Sequence, residues 1–408
     1  MHKDSGRKFL FTSESVGKGH PDKLCDQISD GIVDACLAQD KFSRVAVDAV
    51  IKSGMVMLVG ELTTKAVIDH EEITRKVLRE AGYTHEWGLD PEACTILSLI
   101  TKQSLDISDG LERVQKDPWD LGAGDQGIMF GYATDETDSR MPQTAALSHA
   151  LAQGLYELRK TVDWLGPDSK TQVTMEYEET ENNGIKSLTP MRVDTIVIST
   201  QHKEDKGTEE ICAFLLEHLI KKVVPSHLLV NTRYVLQPSG KFVVGGPKAD
   251  SGLTGRKLVV DSYGGWGAHG GGAYSGKDWS KVDRTGAYAA RWIAKSLVDA
   301  GICKRVLVQV SYAIGVKDPI SLYVDVYGSS PFSNEYILTI IKQNWDLRLG
   351  AVVQELSLDR PIYQQTSVFG HFGREGFPWE VSKAINTPSG KDSGSKVWAV
   401  EDCGMCSG

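Results

Sequence analysis

The sequence predicts an α+β fold of three similar layered domains in a pseudo-threefold arrangement, with each sheet covered by helices on one face. Two observations predict it. An apolar hairpin lies next to an amphipathic helix three times along the chain, a pattern that favours such layers over a doubly wound sheet. The chain also has 408 residues, enough for several domains of roughly 100–200 residues each.

The first helix is predicted over His20–Asp40. Leu24, Ile28 and Ile32 recur every four residues in this segment and give it one apolar face. Pro21 suits the first turn of a helix, because its fixed backbone angle matches the helix and its missing N–H would have no partner there. We therefore expect the residues on both sides of Pro21 to lie at a helix N-terminus.

The three repeats share a hairpin next to a helix but differ in the order of these elements. The first hairpin follows the helix and turns at Ser53-Gly54. In the second and third repeats the helix comes after the hairpin. The predicted elements are the strands Val45–Val50, Met55–Glu61, Thr171–Glu178, Met191–Thr200, Arg305–Gly315 and Ile320–Tyr327, and the helices Thr208–Val224 and Ser333–Trp345.

These repeats divide the chain into an N-terminal domain, 1–110, a central domain, 111–240, a C-terminal domain, 241–395, and a tail, 396–408. The tail contains a C-x-x-C pair, Cys403 and Cys406. A zinc site usually needs four ligands, and no second pair is placed to complete one. We interpret the pair as incidental.

Composition limits the classes of function. The net charge of −9 argues against a nucleic-acid-binding protein and against binding to anionic membranes. No apolar run approaches the roughly 18 residues of a membrane span. The seven cysteines are scattered and odd in number, so a disulfide framework is not expected. The sequence predicts a reduced, soluble, cytoplasmic protein.

Glycines and cations concentrate in two segments, Gly245–Lys257 and Tyr263–Arg284. Glycines let the backbone approach a ligand closely and turn its N–H groups toward an anion. A polyphosphate needs such donors and also needs positive charge. The alternative is that the glycines serve tight turns and the cations solubility. The cations in these segments are Arg256, Lys257, Lys277, Lys281 and Arg284.

Part of the second segment, Gly271–Lys277, matches the spacing of a P-loop. A P-loop requires Ser or Thr next, to hold magnesium, and this chain has Asp278. The preceding strand is also missing from the pattern. We therefore interpret the match as accidental.

The segment Ser13–Lys23 places His20 and Asp22 at the predicted helix N-terminus. An imidazole there, neutral or protonated, can donate to a developing negative oxygen, and a carboxylate can bind magnesium. The simpler interpretation is that an acidic residue in a first helical turn is favourable in any protein.

Three further residues and one segment are weaker candidates. Asp125 lies in the glycine-framed loop GAGDQG and could bind a substrate ammonium group, although such residues are commonly found in turns. Glu61 ends a strand, and His371 could equally anchor a loop. The segment Gln103–Gly127 has few apolar residues and many turn formers, which predicts a lid.

These motifs together resemble S-adenosylmethionine synthetases. The resemblance runs in order from about residue 9 to 380, and GGWGAHGGG is nearer the eukaryotic pattern than the bacterial one. Its most specific parts are GAGDQG and GGGAYSGKD. The other motifs are FTSESVGKGHPDKLCDQISD, PDSKTQV, GGPKADSGLTGRK, VQVSYAIGV and GHFGREGFPWE.

The resemblance implies synthesis of S-adenosylmethionine from ATP and L-methionine, with His20, Lys170, Arg256 and Lys277 as catalytic residues. Methionine would bind Glu61, Gln103, Asp125, Asp250 and Lys281. ATP would bind His20, Asp168, Ser169, Lys170, Ser239, Gly240, Lys241, Phe242, Asp250, Arg256, Lys257, Ala273 and Lys277.

The resemblance also implies two Mg²⁺ ions per site, bound by Asp22, Glu14 and Asp283, and a K⁺ ion at Asp48. It implies a homodimer with shared active sites, which can pair further into a homotetramer. No nucleic-acid or membrane partner is implied.

Five positions depart from the family pattern. Asp48 stands where a Glu usually helps to bind potassium, which questions the potassium response. Lys18 replaces an acid close to His20, and Lys241 replaces an Arg. Leu105 replaces a Pro in the predicted lid, and Ala249 replaces a Gly.

Two other functions compete with the synthetase interpretation. An ATP phosphotransferase would use similar glycine-rich and basic segments, but it would release ADP. A catalytically inactive regulatory subunit would be expected to have lost the motifs. His20, Asp22, Lys170, Lys277 and Asp283 are all retained, which favours an active synthetase.

Overall fold

A computed structural model describes residues 6–102 and 119–386. It contains three open sheets with helices packed on them, which confirms the predicted α+β layered fold. Gln103, Leu105, most of the predicted lid, Cys403 and Cys406 lie outside the described residues. No helix within the two described ranges is both long enough and apolar enough to cross a bilayer.

The first sheet has the strand order β4-β3-β2-β9. Its inner face packs against α1, because alternate residues of β2 such as Val45, Val47 and Ala49 are buried. The hairpin turns at Ser53-Gly54 as predicted, and Ser53 has a positive φ of 52°. The elements are α1 (Pro21–Leu37), β2 (Arg44–Lys52), β3 (Met55–Thr63), β4 (Thr95–Thr101) and β9 (Gly252–Leu253).

The second sheet has the order β1-β6-β7-β8 and is covered by α3. The predicted helix Thr208–Val224 begins correctly. After α4 it continues through a π-helical turn, Leu216–Ile220, and a last turn, Lys221–Val223. The elements are β1 (Arg7–Val16), α3 (Gln143–Arg159), β6 (Leu165–Asn182), β7 (Ile185–His202), α4 (Thr208–Leu215) and β8 (Arg233–Leu236).

The third sheet has the order β11-β10-β5, and the long helix α7 covers it. Gly131 of β5 lies so close to this helix that a Cβ there would come within 2.0 Å of the carbonyl of Ala290. The elements are β5 (Gly127–Thr134), α7 (Val282–Asp299), β10 (Arg305–Tyr312), β11 (Ser321–Asp325), α8 (Asn334–Asn344) and α9 (Leu349–Leu356).

Shorter helices connect these layers. They are α2 (His70–Ala81), α5 (Gly246–Ala249) and α6 (Leu258–Asp261), with 3₁₀ turns at His85–Trp87, Ser226–Leu228, Gln364–Thr366 and Pro378–Glu380. The sheets do not follow the predicted domain ranges, which remain a prediction. β1 pairs with β6 of the central range, β9 of the C-terminal range joins β2, and β5 of the central range joins β10.

Candidate functional site

His20 and Asp22 lie at the N-terminus of α1, as predicted. His20 is the N-cap residue, and its Nδ1 accepts the backbone N–H of Asp22 at 3.2 Å. The Asp22 carboxylate accepts the N–H of Leu253 at 3.0 Å and the Lys257 ammonium at 2.5 Å. The Nε of Arg256 is 3.7 Å from the same carboxylate. This His20 cluster therefore joins the helix N-terminus to the basic loop after β9.

The His20 ring is neutral in this environment. Burial, together with the charge of Lys257, lowers the pKa of His20 to about 3. Because Nδ1 accepts a hydrogen bond, the neutral ring carries its proton on Nε2. Burial alone would raise the pKa of Asp22, but the hydrogen bonds from Lys257 and Leu253 and the charge of Lys257 lower it. Asp22 is thus an anion beside a neutral donor.

Two further segments meet at this cluster. The N–H of Gly17 donates to the carbonyl of Ser169 at 2.8 Å, and the N–H of Gly246 donates to the carboxylate of Asp168 at 2.8 Å. Burial raises the pKa of Asp168 to about 6. Lys170 is exposed, and its charge helps to lower the pKa of His20. The predicted triphosphate residues of β6 therefore lie beside those of α1.

Phe242, one of the predicted ATP residues, is held through its backbone by His202. Its N–H donates to Nε2 of His202 at 3.0 Å, and its carbonyl accepts the N–H of His202 at 3.0 Å. Sequence reasoning missed His202, because nothing in a single sequence links it to a residue 40 positions away. Lys241 is exposed, with its ammonium 3.5 Å from Glu204. Ser239 and Gly240 form the turn before Phe242.

A second group, the Lys277 cluster, lies at the outer face of β2 and β3. Lys277 forms an isolated bridge with Ala46 of β2, and its ammonium is 2.7 Å from Asp283. Asp48 lies at the surface, yet the surrounding protein desolvates its carboxyl and raises its pKa. The charge of Lys277 opposes this shift, and that of Glu61 adds to it. Asp48, Glu61 and Lys277 therefore lie close together.

The P-loop match at Gly271–Lys277 is accidental, as predicted. No helix begins at Lys277, because α7 begins only at Val282. Within the matched segment Ala273 packs against Gly255, whose added Cβ would come within 2.5 Å of the Ala273 Cβ. Ala273 thus lies beside the basic loop that carries Arg256.

For four predicted site residues, the contacts among the described residues do not link the side chain to either the His20 cluster or the Lys277 cluster. The Lys281 ammonium is 2.6 Å from the buried carboxylate of Asp278. Asp125 and Asp250 are exposed, and each carboxylate accepts the N–H of the next residue. Glu14 is exposed on β1, on the same face of the sheet as Lys170. The roles of these residues remain predictions.

The three predicted magnesium ligands lie in different parts of the described structure. Asp22 belongs to the His20 cluster, Asp283 to the Lys277 cluster, and Glu14 to the outer face of β1. Over residues 6–102 and 119–386, no group of three or more His, Cys, Asp or Glu side chains could hold a metal ion. A single carboxylate suits Mg²⁺ when substrate phosphates supply other ligands, so a magnesium role for Asp22 remains a prediction.

Three family profiles match the chain. The N-terminal domain of S-adenosylmethionine synthetase matches residues 8–105, the central domain 120–242, and the C-terminal domain 244–381. This chain belongs to the S-adenosylmethionine synthetase family. It is a methionine adenosyltransferase, and membership of the family implies ATP and methionine as its substrates. The synthetase interpretation is confirmed at the level of family and enzyme class.

A buried histidine on α3 is expected to make the stability of this synthetase sensitive to acid. His149 is buried on α3, and its Nδ1 is 2.9 Å from the hydroxyl of Ser15 on β1. Burial lowers the pKa of His149 to about 3. Between pH 6.5 and 3 the unfolded chain binds a proton here that the folded chain does not. We expect His149 to lower the free energy of unfolding by about 1.4 kcal/mol for each pH unit of acidification in this window.

The measurement is urea unfolding of the wild type and His149→Gln at pH 7.5, 6, 5 and 4. Glutamine does not titrate, so its stability should fall less steeply below pH 6.5. Equal slopes for the two proteins would contradict a neutral buried His149. His85→Gln is the control, because it removes a histidine from an exposed 3₁₀ turn.

Proposed function

We propose that the methionine sulfur attacks C5′ of ATP in one in-line step. The C–S bond forms as the C5′–O bond breaks, and the triphosphate leaves with the electron pair. Water then splits the triphosphate into pyrophosphate and phosphate. The observation that carries this proposal is the His20 cluster, in which a neutral imidazole donor lies beside Arg256 and Lys257.

The nucleophile needs no base, because the sulfur of methionine already carries a lone pair. Catalysis is therefore a matter of orientation and of stabilising the charge that develops on the leaving oxygen. Nε2–H of His20 would donate to this oxygen. A neutral histidine suits this role, since it donates without adding a charge that Asp22 would attract.

The leaving triphosphate would be bound from several sides. Lys170 would approach from β6, Arg256 and Lys257 from the loop after β9, and Lys277 from the loop before α7. Negative charge develops on the leaving oxygen in the transition state. Cations that stabilise this charge more strongly than they bind ATP lower the activation barrier as well as the free energy of binding. The remaining ATP contacts would come from Asp168, Ser169, Ser239, Gly240, Lys241, Phe242, Asp250 and Ala273.

Methionine would bind next to the Lys277 cluster. Glu61 is exposed on β3, near Asp48 and Lys277, and a carboxylate there can receive the substrate ammonium group. The other proposed methionine residues are Gln103, Asp125, Asp250 and Lys281.

Asp22, Glu14 and Asp283 would hold two Mg²⁺ ions, and Asp48 would contribute to a K⁺ site. Bound magnesium would neutralise phosphate charge and stabilise the leaving group. The Lys257 ammonium donates to one carboxylate oxygen of Asp22. We therefore propose that Lys257 moves from Asp22 to a phosphate oxygen when the nucleotide and metal bind.

We propose that two chains form a dimer that shares active sites, with further pairing into tetramers. The outer face of the first sheet supports this proposal, because Leu97, Leu99 and Leu253 are 43%, 61% and 37% exposed there. Contiguous exposed apolar surface is typical of an interface. Asp48 and Glu61 lie on the same face, so a partner chain would complete the site around them.

The test is an incubation of the purified chain with ATP, methionine, Mg²⁺ and K⁺, resolved by mass spectrometry. S-adenosylmethionine, pyrophosphate and phosphate should form only when methionine is present. Water labelled with ¹⁸O should put label into phosphate or pyrophosphate and none into S-adenosylmethionine. ADP or AMP as the main product would contradict the proposed displacement at C5′.

The Asp48→Glu variant should respond differently to potassium. The longer side chain restores the reach of the Glu that is usual in the family, so we expect half-activation at a K⁺ concentration lower by up to about tenfold. The measurement is initial rate against K⁺ concentration at saturating ATP and methionine. Superimposable titrations would argue against a K⁺ site at Asp48. Asp163→Glu, at an exposed carboxylate, is the control and should leave the titration unchanged.

A further inference from the structure

Four aspartates, Asp22, Asp26, Asp30 and Asp34, recur at every fourth position of α1 and lie on one face of the helix. Each carboxylate accepts at least one backbone N–H from a segment far away in the sequence. Asp22 accepts from Leu253, Asp26 from Gly255, Asp30 from Gly276, and Asp34 from Tyr363 and Gln364. We call this row the aspartate ladder. Asp26 and Asp30 hold the two loops whose lysine and arginine side chains are proposed to bind the triphosphate.

Asp30 fixes the backbone on both sides of Lys277. Its carboxylate accepts the N–H of Gly276 at 2.9 Å and pairs with both terminal nitrogens of Arg284, at 2.6 and 2.9 Å. Arg284 in turn donates to the carbonyl of Lys277 at 3.0 Å. The Asp30 and Arg284 side chains are fully buried. The Lys277 peptide is therefore bonded to one rigid ion pair on α1 and α7.

The position of Gly276 is tightly determined as well. Its φ is +82°, and a Cβ there would come within 2.1 Å of the carbonyl of Val47. In addition, the carbonyl of Gly276 accepts the N–H of Val47 at 3.0 Å. The loop thus has little freedom to move relative to β2 and α1.

Asp26 holds the second loop in a similar way. It accepts the N–H of Gly255 at 2.8 Å, immediately before Arg256 and Lys257. Asp26 is fully buried and forms an ion pair with Lys23, whose ammonium is 2.8 Å from its carboxylate. Lys23 also bonds to Asp261. Removal of the Asp26 carboxylate would therefore leave Lys23 with a partner.

We propose that Asp26 and Asp30 are positioning residues of the reaction, which fix Arg256, Lys257 and Lys277 for the leaving triphosphate. The proposal rests on the proposed triphosphate contacts of these three cations. Neither aspartate would touch a substrate. Three buried carboxylates and one half-buried carboxylate on one helix are costly unless each is hydrogen-bonded. The ladder uses them to place backbone segments rather than to bind a ligand.

The decisive experiment is a double-mutant cycle with Asp30→Asn, Lys277→Ala and the combined variant. A misplacement of about 1 Å can cost about 10²-fold in rate, so we expect Asp30→Asn to lower kcat by up to about 10²-fold with a smaller change in the KM for methionine. If Asp30 acts through Lys277, the combined variant should be about as slow as Lys277→Ala alone. The losses in free energy of unfolding should instead add.

The matched control is Asp34→Asn. Asp34 belongs to the same ladder and accepts two backbone N–H groups at 2.9 Å, but from a segment that carries no proposed substrate residue. It should lose stability and keep kcat. A wild-type kcat in Asp30→Asn, or losses of kcat that multiply in the combined variant, would overturn the proposal. A normal kcat in Lys277→Ala would also overturn it, and would locate the failure in the proposed function.

Asp26→Ala provides a second cycle if Asp30→Asn does not fold, because Asp261 still neutralises Lys23. Its partner variant is Lys257→Ala. We expect Asp26→Ala to lower kcat about tenfold or more and to add little to the effect of Lys257→Ala. An unchanged kcat, or effects that multiply, would overturn the role of Asp26.

Discussion

Replacement of Lys277 by alanine is expected to lower kcat for S-adenosylmethionine formation by about 10²–10³-fold, the range typical for the loss of one group that stabilises developing charge. The triphosphate gains charge on its leaving oxygen as the C5′–O bond breaks, and the ammonium of Lys277 would stabilise that charge. The side chain is 27% exposed and its only described ion pair is with Asp283, so its loss should not unfold the chain. Single-turnover kinetics and a thermal melt check both statements.

The matched control for this variant is Lys206→Ala. Lys206 is 26% exposed, and its ammonium lies 2.7 Å from Glu210, so its exposure and its ion pair match those of Lys277. It differs in position, because it lies just before α4, away from the proposed site. Lys206→Ala should keep wild-type kcat. Equal effects of the two substitutions would indicate a general electrostatic change instead of a contact with triphosphate. A normal rate in Lys277→Ala would contradict its catalytic role.

Local structure could be predicted from the sequence because its causes are local. The four-residue recurrence of Leu24, Ile28 and Ile32 places α1 against the inner face of the first sheet. Pro21 begins that helix, and Ser53 takes the positive φ that a two-residue hairpin turn needs. Each of these outcomes depends on residues that are close together in the chain.

The exchange of strands between the predicted domain ranges could not be found in this way. β1 has the pattern of a half-buried strand, but its partner β6 begins 149 residues after the end of β1. A strand pattern specifies which face is buried and does not specify which strand pairs with it. The repeat of hairpins and helices was therefore visible, whereas the pairing across repeats was not.

The site could be predicted only as a list of residues. The protonation of His20 was left open, because the burial and the Lys257 charge that decide it come from a loop more than 200 residues away. The aspartate ladder had one visible signal, the recurrence of Asp every four residues from Asp22 to Asp34. The same recurrence is expected on a solvent-exposed helix face. The role of Asp26 and Asp30 follows only from the structure, in which they accept the backbone N–H groups of Gly255 and Gly276.

Replacement of Asp22 by asparagine is expected to separate turnover from anion binding. Asp22 is the proposed magnesium ligand closest to His20, so we expect S-adenosylmethionine formation to fall by about 10³-fold or more. The same change removes a negative charge beside Lys257 and Arg256, at 2.5 and 3.7 Å. Metal-free triphosphate should then bind about threefold to tenfold more tightly, because the two cations keep their charge without a partner.

Calorimetric titration of inorganic triphosphate in EDTA, set beside turnover with MgATP, checks this opposition. Asp34→Asn is again the control, since it removes a carboxylate from the same helix but leaves Asp22 with Lys257; both its triphosphate affinity and its turnover should stay near those of the wild type. Parallel losses of turnover and triphosphate affinity in Asp22→Asn would indicate that the helix N-terminus had collapsed. Opposite changes would mean that the Asp22 carboxylate competes with the phosphates for Lys257 when magnesium is absent. Magnesium would then replace Lys257 on Asp22 and leave this lysine to the phosphates.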